Sequence, residues 1–116
     1  MKFLGTGSAL PKKVVSYDDL AQVMDTSDEW IRSRTGIGMR HIAVEETTTS
    51  MAVEAAEKAL ADAKISGCEI DLIIAGTISP DYIFPSLACE IQAAIGAKSA
   101  TAFDLSAGCS GFLFAL

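Results

Sequence analysis

A mainly apolar run at residues 70–75 constrains the fold more than any other part of this sequence. The run is rich in isoleucine, and strands of this composition are typical of a sheet that is covered on both faces. A helical pattern precedes it, and another separates it from a second predicted strand at residues 101–105. Because two parallel strands need a crossover segment between them, this order predicts an α/β fold with a largely parallel sheet.

The helix signals on either side of the run are clear. The longest predicted helix covers residues 47–63 and carries several alanines on one side, which permits close packing. A shorter helix is predicted to start with Ser86 as its N-cap and to end at Gly96. The intervening loop, residues 77–85, follows the carboxyl end of the strand at 70–75, where open α/β sheets collect ligands.

The first forty residues carry weaker signals. Residues 2–8 are predicted to be a strand that runs into a glycine turn, with glycines that allow close backbone approach. A short amphipathic helix is predicted at residues 18–24. A second helix is predicted to begin at a capping box formed by Thr26 and Glu29, to continue through Arg34 and to end at the glycines that follow.

The composition disfavours some classes of partner. The formal net charge of −6 argues against nucleic acid and anionic membrane surfaces. No apolar run approaches the length of a membrane span, and three irregularly spaced cysteines are typical of a reducing compartment, so we expect a soluble, cytoplasmic protein. Because 50% of the residues are hydrophobic, we also expect apolar surface to be buried against a second domain or a partner subunit.

The chemistry of this sequence centres on Cys109. The predicted strand at residues 101–105 runs through small residues into this cysteine and then into an apolar helical run. That order resembles a nucleophile elbow, in which a tight turn lifts a side chain to the tip of a sheet. The start of a helix also favours a thiolate, which can accept an acyl group. From the residues alone, a buried structural cysteine is the alternative.

A cationic and aromatic window lies at residues 30–41 of this acidic chain. It contains Trp30, Arg32, Arg34, Arg40 and His41. An indole can stack on a base and a guanidinium can bind phosphate, so the window suits a phosphorylated nucleotide. It is equally compatible with packing of Trp30 and Ile31 on the core, with the arginines paired to nearby acidic side chains. The spacing does not decide between these two interpretations.

Eight short motifs run through nearly the whole chain. They are Gly5-Thr-Gly-Ser, Asp25-Thr-Ser-Asp-Glu-Trp-Ile, Arg34-Thr-Gly-Ile, Arg40-His-Ile-Ala, Ser79-Pro-Asp, Phe84-Pro-Ser, Ala88-Cys-Glu-Ile-Gln92 and Gly108-Cys-Ser-Gly-Phe112. In this order and spacing they resemble the N-terminal part of β-ketoacyl-acyl-carrier-protein synthase III, a family of the thiolase superfamily. The Asp-Glu-Trp-Ile and Arg-Thr-Gly-Ile blocks are fairly specific to this branch, whereas a cysteine elbow is shared by the whole superfamily.

The resemblance implies a thiolase-like α/β fold with a mixed, largely parallel sheet. Residues 1–116 would form a partial N-terminal thiolase-like domain, with the C-terminal half of the fold absent. The final apolar run, residues 112–116, has no Gly or Pro stop signal. We therefore expect the chain to be truncated within the nucleophile helix.

The resemblance also implies a reaction. Cys109 would take an acyl group from acyl-CoA, and a carbanion from decarboxylated malonyl-ACP would attack the thioester to give 3-oxoacyl-ACP. The amide of Cys109 would contribute to the oxyanion hole. The CoA thioester is a substrate in this scheme, so neither a cofactor nor a metal is expected. The family's catalytic histidine and asparagine lie downstream of this sequence, so the fragment itself is expected to be inactive.

Other residues receive roles from the matching family positions. Trp30 would stack on the CoA adenine, Arg34 would contact the CoA phosphates, and Thr26 would contact the adenine. Phe84 would reach into the acyl pocket of the other subunit of a homodimer. His41 matches a structural segment of the family and does not replace the missing catalytic histidine.

Two alternative functions stay open at this point. The protein could be a related thiolase-superfamily acyltransferase of specialised metabolism that shares the CoA-binding and cysteine motifs. It could also be a non-catalytic fragment that serves as a CoA-binding or assembly module. In either case Cys68 is expected to be a loop residue, and Cys89 a packing residue inside a helix.

Overall fold

The computed structural model describes residues 2–116, which divide into two compact units. The larger unit contains the residues up to Ala9 together with Thr47–Leu116, and the smaller unit contains Leu10–Glu46. The assignment of residues 1–116 to one partial thiolase-like domain remains a prediction.

The smaller unit consists of an antiparallel strand pair and two short helices. Its elements are β1 (Lys13–Ser16), α1 (Tyr17–Ala21), α2 (Asp28–Thr35) and β2 (Met39–Ile42). β1 pairs with β2 in a register that places Lys13 opposite Ile42. Tyr17 and Ile31 are buried within this unit. The sequence predicts neither strand, because each is only four residues long and carries polar side chains.

The first helix is shorter than predicted. α1 spans Tyr17–Ala21 rather than residues 18–24. It begins earlier because the Ser16 hydroxyl accepts a hydrogen bond from the Asp19 amide at 3.2 Å and completes a capping box. Beyond the end of the helix the Val23 side chain is largely exposed, so it is not part of a buried helix face.

The second helix has the predicted end but a different cap. The Ser27 hydroxyl accepts a hydrogen bond from the Trp30 amide at 3.2 Å, so Ser27 is the N-cap of α2 rather than Thr26. An N-cap hydroxyl reaches the amide three residues later, and the Ser27 position is the one that satisfies this geometry. The predicted stop is confirmed, because Gly36 ends the helix with a left-handed φ of 72°.

The larger unit contains the parallel strand pair that the sequence predicts. Its elements are α3 (Thr48–Ala63), β3 (Leu72–Gly76), α4 (Leu87–Ile95), β4 (Thr101–Leu105) and α5 (Gly111–Ala115), with 3-10 turns at Gly67–Glu69 and Gly108–Ser110. β3 and β4 pair in parallel, with Leu72 opposite Thr101 and Gly76 opposite Leu105. α4 lies in the crossover between the two strands. The predicted α/β fold with parallel pairing is therefore confirmed.

The core of the larger unit is built around α4 and the strand pair. Its buried members are Ala75, Leu87, Ala88 and Ile91, and partly buried residues of α3 pack against them. Ser86 caps α4, and Gly96 ends it with a left-handed φ of 73°, as predicted. Small side chains at the centre of this cluster let helix and sheet approach closely.

Residues 2–8 do not form the predicted strand. Their backbone instead runs close against α3, where a Cβ atom added to Gly5 would lie 2.5 Å from the Ala63 amide nitrogen. A side chain of α3 bonds this segment, since the Asp62 carboxylate accepts from the Thr6 amide at 2.9 Å. A strand needs a paired neighbour, which this segment lacks within residues 2–116. The close approach expected of its glycines is present.

A large apolar surface lies outside the buried cores. Several bulky side chains are more than half exposed, and the most exposed are Ile83 at 99% and Phe84 at 89%. Exposed bulky apolar side chains of this kind are typical of surfaces that another polypeptide covers. None of the helices formed by residues 2–116 is long and apolar enough to cross a membrane.

We expect the 116-residue chain, expressed alone, to self-associate at micromolar concentration, because removing this apolar surface from water is favourable. Sedimentation velocity measures the association directly. Replacement of the two most exposed side chains, Ile83→Ser with Phe84→Ser, should shift the distribution toward smaller species. A single sharp monomer boundary for the unaltered chain would contradict this expectation.

Candidate active site

Cys109 lies on a turn between a strand and a helix. β4 ends at Leu105, a 3-10 turn covers Gly108–Ser110, and α5 starts at Gly111. Gly108 has a φ of 52°, a left-handed conformation that glycine adopts without strain. The Cys109 side chain is exposed in this chain. The predicted order of strand, turn and helix is present, although the α-helix begins after the cysteine rather than at it.

Small residues allow α5 to lie directly on β3. A Cβ atom added to Gly76, the last residue of β3, would lie 3.3 Å from the carbonyl carbon of Gly111. The strand pairing also continues past this point, because the Thr77 amide donates to the Leu105 carbonyl oxygen at 3.2 Å. The carboxyl ends of β3 and β4 are thus held side by side. The Cys109 turn and the loop after β3 both leave from this edge.

All three cysteines are free thiols, and their surroundings differ. Cys68 is exposed on the 3-10 turn before β3, with its sulfur 3.3 Å from the Ser66 hydroxyl oxygen. Cys89 is half-buried in α4, with its sulfur 3.9 Å from the Ala102 carbonyl oxygen. Both positions agree with the sequence analysis. In the described part of the chain, no group of three His, Cys, Asp or Glu side chains could hold a metal ion.

The loop after β3 carries Phe84 and is anchored to the start of α3. The Asp81 carboxylate accepts hydrogen bonds from the amides of Thr48 at 3.1 Å and Thr49 at 2.7 Å. Beyond this anchor, Ile83 and Phe84 extend into solvent. The base of the loop is therefore fixed, while its tip presents two apolar side chains.

The hydrogen bonds to Asp81 favour its ionised form. The Thr49 amide makes the largest contribution and the Thr48 amide adds to it, and together they help to lower the pKa of Asp81 from 3.8 to about 2. Because the pKa is lower in the folded state, ionised Asp81 stabilises the fold above about pH 3.8. This stabilisation is lost as the pH falls through about 2.

Asp81→Asn should lower the midpoint of thermal unfolding at neutral pH, because a neutral amide accepts these hydrogen bonds less strongly. The difference from the unaltered chain should shrink as the pH falls from about 4 to about 2, where Asp81 itself becomes protonated. Circular dichroism melts at a series of pH values measure both effects. Asp71→Asn removes a carboxylate charge elsewhere in the unit and serves as the control. A difference that is constant over this pH range would contradict the assignment.

The three residues predicted to bind CoA lie together in the smaller unit. The Arg34 guanidinium lies over the Trp30 ring, 4.3 Å from its centroid. The Trp30 side chain is 54% exposed. Thr26 and Trp30 line one cavity of about 340 Å³ with Asp25 and Ser27. A half-exposed indole, a guanidinium and a hydroxyl are the groups that base stacking and phosphate binding require.

The alternative interpretation of residues 30–41, in which Trp30 and Ile31 pack in the core and the arginines form ion pairs, is correct in part. Ile31 is buried, and Arg32 forms an ion pair with Asp28 at 3.0 Å. Trp30, by contrast, does not pack in the core. His41 Nδ1 lies 2.6 Å from the Pro11 carbonyl oxygen, so this ring bonds the backbone of its own unit.

Asp104 is a further residue near this site, and no motif in the sequence singles it out. It lies on β4 and accepts hydrogen bonds from the amides of Leu87 at 2.9 Å and Ala88 at 2.8 Å, at the start of α4. The signal in the sequence is a carboxylate flanked by Phe103 and Leu105 inside a predicted strand. A charge at such a position is costly unless it is hydrogen-bonded, which would have indicated a structural partner.

The chain is similar to known condensing enzymes over almost its whole length. It is 55% identical over 116 residues to β-ketoacyl-acyl-carrier-protein synthase III of Xylella fastidiosa strain Temecula1, covering 99% of this chain and 36% of the relative. The crystal structure of 3-oxoacyl-acyl-carrier-protein synthase III from Aquifex aeolicus VF5 matches with a TM-score of 0.93 and 54% identity, over 98% of this chain and 37% of that one. The priming β-ketosynthase from the R1128 polyketide pathway matches with a TM-score of 0.92 and 40% identity, over 98% of this chain and 34% of that one.

These comparisons confirm the resemblance stated from the motifs, and with it the thiolase-like α/β fold. No family model matches the chain. The chain spans little more than a third of the length of the curated relatives that it matches, 36% for the Xylella enzyme. The activity, substrates and partners of the whole protein are therefore matters of proposal.

Proposed function

We propose that the protein containing this chain is a condensing enzyme of fatty-acid synthesis, because the chain is similar in sequence and in fold to part of β-ketoacyl-acyl-carrier-protein synthase III. The reaction joins an acyl group from acyl-CoA to a two-carbon unit from malonyl-ACP, and its products are 3-oxoacyl-ACP, CoA and CO2. The observation that carries this proposal is the exposed Cys109 thiol on the turn after β4.

Cys109 is the residue proposed to carry the acyl group. Its thiolate attacks the carbonyl carbon of the acyl-CoA thioester, the CoA thiolate leaves, and an acyl-cysteine thioester forms. Malonyl-ACP then loses CO2, the resulting carbanion attacks the acyl-cysteine carbonyl carbon, and the Cys109 thiolate leaves. The Cys109 amide is proposed to donate a hydrogen bond to the oxyanion in each step. The exposure of the thiol supports this role, since two substrates in turn must reach it.

Trp30, Arg34 and Thr26 are proposed to bind CoA. Arg34 covers one face of the indole at 4.3 Å, and the exposure of Trp30 allows the adenine to stack on the opposite face. The Arg34 guanidinium can bind a CoA phosphate from the same place. Thr26 lines the cavity beside the indole and can bond the edge of the base. CoA enters this scheme as a substrate, not as a resident cofactor.

Phe84 is proposed to line the acyl pocket of the partner subunit in a homodimer. Its side chain lies almost wholly in solvent on a loop whose base is held by Asp81. A large apolar side chain in that position is exposed to water until other protein surface covers it, which is favourable. This supports insertion into a second subunit. The cytoplasm is the proposed location of the assembled enzyme.

The similarity to the R1128 priming β-ketosynthase supports a second candidate, an acyltransferase of specialised metabolism in the same superfamily. The two candidates share acyl transfer to Cys109 and differ in the acceptor. The two candidates can be separated by product analysis with two acceptors, malonyl groups bound to a carrier protein of fatty-acid synthesis and malonyl groups bound to a carrier protein of polyketide synthesis. A third candidate is that the chain on its own only binds CoA or assists assembly. Acylation of the isolated fragment would contradict this non-catalytic role.

In the full-length protein, acetyl-CoA or another short acyl-CoA should acylate Cys109 but neither Cys68 nor Cys89. Cys109 combines exposure, a turn before a helix and small neighbours, whereas Cys89 is half-buried. Intact mass after incubation, followed by peptide mapping, should show one acyl adduct on the peptide that contains Cys109. The isolated 116-residue fragment is expected to acylate weakly or not at all.

The matched variants for this experiment are Cys109→Ala and Cys68→Ala. The first should abolish the adduct while it preserves the circular dichroism spectrum, and the second should leave the adduct in place. An adduct that survives Cys109→Ala, or that maps to Cys68 or Cys89, would overturn the nucleophile assignment.

Trp30→Ala should raise the KM for acyl-CoA about tenfold in the full-length protein, with a smaller change in kcat. Stacking of a base on an aromatic ring is worth roughly 1–3 kcal/mol, and it is equal in the ground state and the transition state. Steady-state kinetics measure this effect, and CoA should quench the Trp30 fluorescence of the unaltered protein. Val23→Ala, a truncation of another exposed apolar side chain of the same unit, is the control. An unchanged KM together with an unquenched signal would remove the assignment.

A further inference from the structure

Helices α3 and α4 begin with the same hydrogen-bond arrangement. In α3 the amides of Thr48 and Thr49 donate to the two carboxylate oxygens of Asp81, and the Ser50 amide donates to the Thr47 N-cap hydroxyl at 3.0 Å. The first two amides of a helix have no acceptor within the helix, so they require one from outside. In α3 that acceptor comes from a residue distant in sequence.

In α4 the distant acceptor is Asp104. The amides of Leu87 and Ala88 donate to its two carboxylate oxygens at 2.9 and 2.8 Å, and the Cys89 amide donates to the Ser86 hydroxyl at 3.3 Å. Leu87 is 5% exposed and Ala88 is fully buried. Water therefore has little access to these amides, and Asp104 is the group that satisfies them.

The segment that carries Phe84 lies between these two anchors. Asp81 precedes it and ties the loop to α3. Ser86 follows it and starts α4, which Asp104 ties to β4. A third contact closes this arrangement, because the Thr49 hydroxyl donates to a Glu90 carboxylate oxygen at 2.7 Å and so joins α3 to α4. The tip, residues 82–85, makes none of these hydrogen bonds itself.

We propose that Asp81 and Asp104 are positioning residues for acyl-chain selection, because Asp81 ties the start of the Phe84 segment to α3 and Asp104 ties the helix that follows the segment to β4. β4 is also the strand that leads to this subunit's own Cys109, so Asp104 ties the start of α4, directly after the Phe84 segment, to a strand of the sheet. This inference rests on the proposed function, in which Phe84 lines an acyl pocket. A fixed Phe84 limits the length of the pocket, and a mobile one admits longer chains.

The test uses the full-length protein with Asp81→Asn, Asp104→Asn and the control Asp62→Asn. Asp62 also accepts a backbone amide in the larger unit, from Thr6, and it is outside the Phe84 segment. Cys109 acylation is followed with acetyl-CoA and octanoyl-CoA. The ratio of kcat/KM for octanoyl-CoA to that for acetyl-CoA should rise by roughly 3- to 10-fold in both test variants, as expected when charge-assisted hydrogen bonds are weakened. The control should leave the ratio unchanged.

A double-mutant cycle separates positioning from general destabilisation. In a Phe84→Ala background, Asp104→Asn should no longer change the ratio, since the side chain that it positions is absent. An equal loss of rate for both acyl-CoAs, or the same ratio in the test variants as in Asp62→Asn, would overturn the inference. If Asp104→Asn does not fold, Asp81→Asn, whose carboxylate is on the surface, carries the same test.

Hydrogen exchange of the peptide that spans residues 82–86 provides a readout that does not depend on activity. Faster exchange in both test variants than in Asp62→Asn would show that the anchors hold the segment, and unchanged exchange would overturn that claim. A complete absence of Cys109 acylation in the unaltered protein would overturn the proposed function and the selectivity role. The exchange result would then still decide whether the two aspartates fix the segment.

Discussion

The parallel pairing of β3 with β4 is the constraint on which the rest of the larger unit depends. Parallel neighbours cannot be joined by a tight turn, so α4 must cross back over the sheet. The same pairing brings the carboxyl ends of both strands to one edge. The loop with Phe84 and the turn with Cys109 therefore leave from adjacent places, although 24 residues lie between Phe84 and Cys109 in the sequence. Gly76 and Gly111 have no side chains, and this allows α5 to lie directly on β3.

Hydrogen bonds from backbone amides to side chains fix the positions of the loop and helices next to the β3–β4 pair. Hydrophobic burial is modest here, because the buried cluster consists of Ala75, Leu87, Ala88 and Ile91. Burial is also non-directional and does not by itself place a loop. The carboxylates of Asp81 and Asp104 supply direction, since each accepts two amides at the start of a helix. In this site the strand pair thus determines where the carboxyl-terminal edge lies, and the two aspartates determine where the segments that leave from it are held.

The sequence predicts local features well and long-range contacts poorly. α4 is predicted from Ser86 to Gly96 because both its cap and its stop are local signals. The strand at Thr101–Leu105 and the turn at Cys109 are likewise predicted from the local sequence. The cap of α2 is displaced by one residue, since Thr26 and Ser27 have similar side chains and only the backbone decides between them. Residues 2–8 have strand composition, but a strand also depends on a neighbour that composition does not specify.

The roles of Asp81 and Asp104 could not be predicted from spacing. Their amide donors are at least 16 residues away in the chain, so they become visible only when the fold is known. The predicted CoA residues show the opposite case. Trp30 and Arg34 occur on consecutive turns of one helix, so their proximity follows from the helical repeat.

The central claim is that Cys109 accepts the acyl group at the edge formed by β3 and β4. A crystal structure of the full-length protein soaked with an acyl-CoA tests this most directly. The account predicts continuous electron density from the Cys109 sulfur to an acyl carbonyl, with the adenine of the released CoA stacked on the Trp30 face opposite Arg34. An unmodified Cys109 beside an acyl group bound to another residue would contradict it.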